Sequence, residues 1–328
     1  MTNVQEQDRI ALRPGAATWA RKDLLDTDTL SREEIDLVMH TADAMSEVRS
    51  RPVAKVATLR GTVIVTLFYE QSTRTRASFE VAGKALGADV VNISATGSSV
   101  EKGESLVDTI RTLEAIGADL VVMRHKSSGA PYLAATQTRA SVINGGDGTH
   151  AHPTQALLDL YTMRRHLGDM AGRKVAIVGD VLHSRVARSN LWTLLAAGAF
   201  VTLCGPATLL PRSLALHGEE GRVQVTADLS EALRDADVVM ALRIQKERQE
   251  AGLIPSLRDY IAGYQVSTER LRLARPGALV MHPGPMNEGV EIAADVAHGA
   301  RSVIEEQVAN GVAVRMALLY LMLTAVRR

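Results

Sequence analysis

The densest concentration of chemistry in the sequence is Ser72-Thr73-Arg74-Thr75-Arg76, five consecutive hydroxyl or guanidinium residues between an apolar run ending at Phe68 and a helical pattern beginning at Thr75. Backbone N–H groups in the first turn of a helix have no intrahelical partner. Together with the positive end of the helix dipole they bind anions, and an arginine adds a two-pronged donor. The segment is therefore a candidate phosphate cradle. A simple helix cap with solvated arginines explains any one of these residues, but not five in a row. It is not a Walker loop, because G-x-x-x-x-G-K followed by Ser or Thr is absent from the chain. A nucleoside triphosphate is thereby disfavoured.

Further anion-binding groups recur at the ends of apolar runs. Ser98 and Lys102 lie in a polar loop and could close over an anion, Arg124 ends the run Val122-Met123, and His152 directly precedes Pro153 after a glycine-rich stretch that leads on to Gln155. His152 could donate to a carbonyl oxygen beside a phosphate; a capping histidine is its plainer reading. Arg185 opens a later helix, Arg243 and Gln245 follow another apolar run, and His282-Pro283-Gly284-Pro285 makes a stiff loop that exposes carbonyls. Taken singly, Arg185 and Arg243 read as surface charges and His282 as a loop-ordering hydrogen-bonder. His150 and His152 lack further ligands at zinc spacing, so no metal site is expected, and no motif calls for a cofactor. The run ending at Gly179 lacks the remaining glycines of G-x-G-x-x-G, which weakens a nicotinamide dehydrogenase reading.

These residues need a scaffold, and the hydrophobic pattern describes one. Ser31 and Glu34 make a capping box flanked by Leu30 and Ile35, which predicts a helix over residues 32–48. Strands are predicted at 62–68, 90–93, 120–123 and 141–144, with helices at 75–86, from near 104, from near 131, and over 153–167. A second series of strands follows at 174–179, 201–204, 223–226, 238–242 and 278–281, then a helix over 302–325. Strand and helix alternation predicts two tandem three-layer α/β/α domains with mainly parallel sheets. Residues 1–153 plus 302–328 form the first domain and 154–301 the second. Open α/β sheets bind ligands beyond the carboxyl ends of their strands, so the active site is expected in the cleft between the domains.

Composition narrows the function. Lys plus Arg (37) equals Asp plus Glu (37) and aromatics are 3% of the 328 residues, so neither a broad positive field nor stacking platforms for nucleic acid are present. The single cysteine, Cys204, excludes an intrachain disulfide and reads as an inert strand thiol. Residues 1–14 are polar and lack the apolar core of a secretory signal, and residues 312–326 are interrupted by Arg315 and fall short of the ~20 needed to span a bilayer. A cytoplasmic protein that does not engage membranes is expected.

Together these segments resemble the carbamoyltransferase family, and within it the aspartate-specific enzymes, from about Lys22 to the C-terminal helix; the S-T-R-T-R segment is a specific signature of that family. The resemblance implies transfer of the carbamoyl group from carbamoyl phosphate to the amine of L-aspartate in pyrimidine biosynthesis. It assigns Ser72, Thr73, Arg74, Thr75, Arg124, His152 and Gln155 to carbamoyl phosphate, joined by backbone groups around Pro283 and Gly284. Arg185, Arg243 and Gln245 fall to the aspartate carboxylates, with Lys102 serving both substrates. Arg74, Thr75, Lys102, Arg124 and His152 then form the catalytic set. It also implies a homotrimer in which Ser98 and Lys102 enter a neighbouring subunit's site. Zinc-containing regulatory chains or a dihydroorotase are partner classes left open. An ornithine-specific enzyme is the nearest alternative, but the cysteine its kind carries in the His-Cys-x-Pro segment is absent, and Glu70 stands where those enzymes tend to place lysine. A non-catalytic bilobed binding protein is the alternative from another class.

Overall fold

The computed structural model describes residues 18–94, 103–218, 221–244, 253 and 256–325. The described chain divides into two compact units, one running to Leu158 and resuming at Ala309, the other spanning Asp159–Val308. The divisions fall inside the helices Pro153–Leu167 and Ile304–Ala325 rather than at their ends.

The first unit begins with α1 (Arg32–Ser50), then β1 (Val63–Phe68), α2 (Thr73–Ala85), β2 (Asp89–Ser94), α3 (Leu106–Ala115), β3 (Leu120–His125), α4 (Ala130–Ala135), β4 (Ser141–Asp147) and α5 (Pro153–Leu167). The expected capping box starts α1: Glu34 N donates to Ser31 Oγ at 3.2 Å while Ser31 N donates to the Glu34 carboxylate at 2.9 Å. Four strands pair in parallel in the order β2-β1-β3-β4. Val65 and Leu67 of β1 and Met123 of β3 pack with Ile110 and Leu113 of α3 and Ala134 of α4. Fully burying side chains of this size contributes roughly 1.5–3 kcal/mol each. β4 runs on through Gly145 and Gly146 to Asp147, although the glycines suggest a loop; an irregularity between Met123 and His125 brings His125 opposite Asp147.

The second unit contains β5 (Lys174–Val178), α6 (Arg185–Ala196), β6 (Phe200–Cys204), β7 (Val223–Thr226), α7 (Leu229–Leu233), β8 (Val238–Ala241), α8 (Leu257–Tyr264), α9 (Thr268–Leu271), β9 (Leu279–Met281), α10 (Ala294–Ala297) and the start of α11 (Ile304–Ala325). Its five strands are also parallel, in the order β7-β6-β5-β8-β9. The short helices α7, α9 and α10 escape the periodicity reading because four or five residues are too few to display it.

By length and composition α11 could cross a membrane, but its residues Val314, Met316, Ala317, Leu318 and Leu319 are buried within the protein. Arg315 in the same helix is buried, donating to Ser78 Oγ at 2.8 Å with its guanidinium 5.2 Å from the Phe79 ring centroid. α11 is thus a core helix clamped to α2.

Gly205, just after β6, is a close-approach glycine: a Cβ there would overlap the Gly179 carbonyl oxygen, a backbone atom that cannot swing aside. Gly205→Ala should destabilise the protein by about 1–3 kcal/mol through this overlap. Gly277→Ala, where a Cβ meets nothing within 4 Å, should be nearly neutral. Thermal unfolding of the two variants side by side checks this; equal midpoints would contradict the packing described.

Candidate active site

In a parallel sheet every strand ends on the same edge, so loops after adjacent strands are neighbours. Where the strand order reverses, the flanking loops part and leave a crevice for a ligand. In the first unit the order reverses at β1, with β2 on one side and β3 on the other. The register sets Phe68 of β1 opposite Arg124 of β3, so the S-T-R-T-R loop and Arg124 leave the sheet side by side at that point.

Ser72 is the N-cap of α2, its backbone extended and its Oγ accepting from Thr75 N at 3.4 Å. The first turn contains no acidic residue of its own to offset its positive end. Thr75 is buried and Thr73 and Arg74 are exposed, so α2 turns two exposed side chains and a first turn without acid toward an incoming anion.

Arg124 is held on both sides. One terminal nitrogen donates to Gly145 O at 3.1 Å and the other to a Glu70 carboxylate oxygen at 2.5 Å. Only 8% of the residue is exposed. Glu70, which follows β1, thus orients the arginine near the end of β3. Sequence inspection weighs Glu70 only as a specificity marker; its partner emerges from strand order.

His152 and Gln155 are buried where α5 begins, and Gln155 N donates to His152 O at 3.0 Å, so the histidine backbone caps the helix. The loop leading to them is built on Asp147, whose side chain is wholly buried. Asp147 accepts from Gly129 N at 2.7 Å, Asn144 Nδ2 at 2.8 Å and Ala151 N at 3.0 Å, and faces His150 Nδ1 at 3.1 Å. Gly148 sits at φ +45°, and a Cβ there would come within 2.8 Å of Ser128 N. No sequence signal distinguishes Asp147 from an ordinary turn aspartate.

In the second unit the order reverses at β5, between β6 and β8. Val178 pairs with Ala241, so Gly179 and Leu242 leave the sheet together. A Cβ on Gly179 would come 2.8 Å from Leu242 O, so this glycine answers to the neighbouring strand end and not to a pyrophosphate. Arg185 is the first residue of α6, 5% exposed, behind the Ser184 cap, and that first turn again lacks an acidic residue. The preceding turn is tied by buried Asp180, which accepts from His183 N at 3.1 Å and faces His183 Nδ1 at 2.9 Å. Arg243, half-buried, follows β8 on the other side of the switch.

After β9, Gly284 N donates to His282 Nδ1 at 2.8 Å, which leaves the ring proton on Nε2 facing Glu291 at 3.2 Å. The Glu291 carboxylate also accepts from Asn287 N at 2.6 Å. His282 is 1% exposed, and its hydrogen bond from Gly284 N orders the Pro283–Gly284 loop. Gly284 has φ +66° and precedes a cis proline.

The sequence-predicted residues therefore fall into two groups. Ser72, Thr73, Arg74, Thr75, Arg124, His152 and Gln155 share the carboxyl edge of the first sheet, and Arg185, Arg243, Pro283 and Gly284 that of the second. Ser98, Lys102 and Gln245 lie outside the described residues. Among the described residues no group of three His, Cys, Asp or Glu could hold a metal ion. Cys204 is buried at the end of β6, where desolvation pushes its thiol up to about 12, so it is no nucleophile.

Two parallel-sheet units, each with arginine beside its switch point and neither with a Walker or dinucleotide loop, define a two-unit α/β class suited to small anions. Residues 22–165 match the carbamoyl-P binding domain of aspartate/ornithine carbamoyltransferase, and residues 171–322 match the Asp/Orn binding domain. The chain belongs to the aspartate/ornithine carbamoyltransferase family. It is 61% identical over 306 residues to an aspartate carbamoyltransferase catalytic subunit of Roseiflexus castenholzii, covering 93% of this chain and 96% of that protein. Among solved structures, it is similar to aspartate transcarbamoylase from Trypanosoma cruzi in complex with carbamoyl phosphate and aspartate, at TM-score 0.84 and 32% identity, covering 94% and 99% of the two chains. Ornithine carbamoyltransferase from Pyrococcus furiosus has the same TM-score of 0.84 at 28% identity, covering 94% and 99%.

Burial alone would push the Asp147 carboxyl up, but the hydrogen bonds from His150, Asn144 and Gly129 N outweigh it and hold it below its ordinary 3.8. A depressed carboxyl contributes stability that is complete above 3.8 and is lost as pH falls through the lower folded value. Asp147→Asn should therefore cost about 2–3 kcal/mol at neutral pH, and its deficit against wild type should shrink under strong acid. Thermal unfolding across pH measures both; a pH-independent difference would contradict this account.

Proposed function

We propose that the chain transfers the carbamoyl group of carbamoyl phosphate to the amine of L-aspartate, giving N-carbamoyl-L-aspartate and phosphate. The observation that carries this reading is the pair of switch-point clusters. In the first unit, an acid-free helix turn with Ser72, Thr73, Arg74 and Thr75 stands beside Arg124 and suits a phosphate. In the second unit, Arg185 and Arg243 flank the strand reversal and suit the two carboxylates of a dicarboxylic amino acid. Ornithine, with an ammonium side chain, would meet an arginine there. The identity of the curated relatives supports the same choice.

The chemistry needs no covalent enzyme adduct. The uncharged amine nitrogen attacks the carbonyl carbon, forming the new C–N bond and a tetrahedral oxyanion. The C–O bond to phosphate then breaks, phosphate leaves with that electron pair, and the ammonium proton passes to the departing phosphate. Thr75, either Arg74 or Arg124, and His152 stabilise the oxyanion, and each such donor contributes on the order of 3 kcal/mol in comparable sites. Glu70 and the Gly145 carbonyl hold Arg124 in place, so little reorganisation is needed during reaction. Gln155 helps hold the donor, and the loop at Pro283 and Gly284 receives its amino group. Arg185, Arg243 and Gln245 take the acceptor's carboxylates. Lys102 and Ser98 complete the site from a neighbouring subunit of a homotrimer. Such an exchange is in keeping with the exposure of β2, the edge strand that leads directly to their loop. The enzyme would act in the cytoplasm, early in pyrimidine synthesis.

A steady-state carbamoylation assay with aspartate, ornithine and N-acetylornithine tests the reaction. Product from aspartate alone is expected, and turnover of ornithine in its place would overturn the acceptor assignment. Arg74→Ala should lower kcat by about 10²-fold or more. Arg243→Ala should raise the KM for aspartate by about 10–100-fold with a smaller effect on the donor. For the shared site, inactive Arg74→Ala and Lys102→Ala chains are dissociated, mixed and reassembled. Regained activity is expected, and none would mean that each chain carries a complete site.

A further inference from the structure

Outside the groups assigned to substrate, one titratable cluster spans three separate segments of the first unit. His150 lies between two carboxylates: Nδ1 is 3.1 Å from Asp147 Oδ2 and Nε2 is 3.3 Å from Asp26 Oδ2. Asp26 precedes α1, Asp147 ends β4, and the ring packs edge-on to Tyr132 of α4 at 5.8 Å between centroids. A neutral imidazole has one N–H, so in either tautomer the other nitrogen would aim its lone pair at a carboxylate. Only the imidazolium both donates to Asp147 and carries the charge that attracts Asp26 as an ion pair. Asp147 cannot turn away, since its oxygens already accept from Gly129 N, Asn144 and Ala151 N.

We propose that His150, held as an imidazolium between Asp26 and Asp147, is a positioning residue that sets the loop carrying His152 and Gln155, so that affinity for the carbamoyl donor depends on the His150 charge. This rests on the reading that His152 and Gln155 bind that donor. The backbone makes the coupling short. His150 N donates to Asp147 O at 2.9 Å and Asp147 N to Ala151 O at 3.1 Å, which leaves His150 two residues from His152 inside a closed turn. The other end of the link is anchored as well: Leu24 bridges to Ile143, and Asn144 Nδ2 donates to Leu25 O at 2.9 Å, so the Asp26 segment is fastened to β4. The imidazolium is the tie between that segment and the turn.

The charged and titratable groups facing the ring are Asp26 and Asp28 from the entering segment, Asp147 from β4 and the Tyr132 phenol from α4. The hydrogen bond to Asp147 raises the His150 pKa above its ordinary 6.5, against the opposing effect of burial. Burial pushes Asp26 up to about 6, so at neutral pH it is an anion opposite the imidazolium. A raised histidine contributes its interaction fully below 6.5 and loses it as pH climbs through the folded value. The tie therefore holds below that raised folded value and is released as pH climbs through it.

The test is the KM for carbamoyl phosphate, measured on the intact enzyme from neutral to alkaline pH at saturating aspartate. Wild type should show a rise in KM on the alkaline side. His150→Ala should raise KM about tenfold at neutral pH, with kcat changed much less, and should lack that rise. His150→Lys, which stays cationic, should restore a low KM and keep it flat into alkali. Asp26→Asn should move the rise to lower pH by removing an anion that holds the proton. An alkaline rise that persists unchanged in both His150 variants would overturn the proposal, as would a wild-type KM in His150→Ala. His152→Ala is run in parallel: if it leaves KM unchanged, the donor-site reading fails, whereas an effect there with none at His150 sinks this inference alone. Should His150→Ala fail to fold, His150→Lys and Asp26→Asn decide the matter.

Discussion

Parallel pairing of every strand is the constraint on which the rest depends. Because β1, β3 and β4 all point the same way, residues separated by tens of positions leave one edge of one sheet together. The same holds for β5, β8 and β9 in the second unit. Reversal of strand order at β1 and at β5 then opens a crevice in each, and the arginines stand beside those crevices. An antiparallel hairpin in either sheet would have sent one of these loops to the opposite edge.

A chain with no net charge must make its anion sites locally, and the structure does so in two ways. Both α2 and α6 begin with a side-chain cap, a first turn without acid and an arginine within that turn. Arg124 is instead gripped by Glu70 and the Gly145 carbonyl, a buried cation paired well enough to be tolerated and oriented. The two devices differ in consequence. A helix turn supplies a fixed partial charge, whereas a gripped arginine supplies a directed full one.

Loop order in both units depends on buried carboxylates bonded to main-chain N–H groups. Asp147 pins the β4–α5 turn, Asp180 the β5–α6 turn, and Glu291 the His282 ring together with Asn287 N. Each has a histidine as a second partner: His150, His183 and His282 respectively. Carboxylates placed this way act at one remove, holding the backbone that presents the binding groups. Glycines with no room for a Cβ, Gly148 and Gly179, complete the same turns.

Much of this was legible in the residues themselves. Ser31 with Glu34, the β-branched run of β1 and the apolar patterns of the later strands specify local structure, because propensity and periodicity act over a few neighbours. The S-T-R-T-R run announces an anion site for the same reason, since all its parts lie within one helical turn. The extension of β4 through two glycines, the pairing of Glu70 with Arg124, the link from Asp26 to His150 and the reason for Gly179 were not legible. Each joins residues brought together only by strand order or by close backbone approach, and nothing in the sequence records either. The sequence by itself determined the longer periodic elements and which residue types can bind anions. Tertiary structure alone decided which buried carboxylate holds which cation, because that depends on distances set by packing and not on neighbours along the chain.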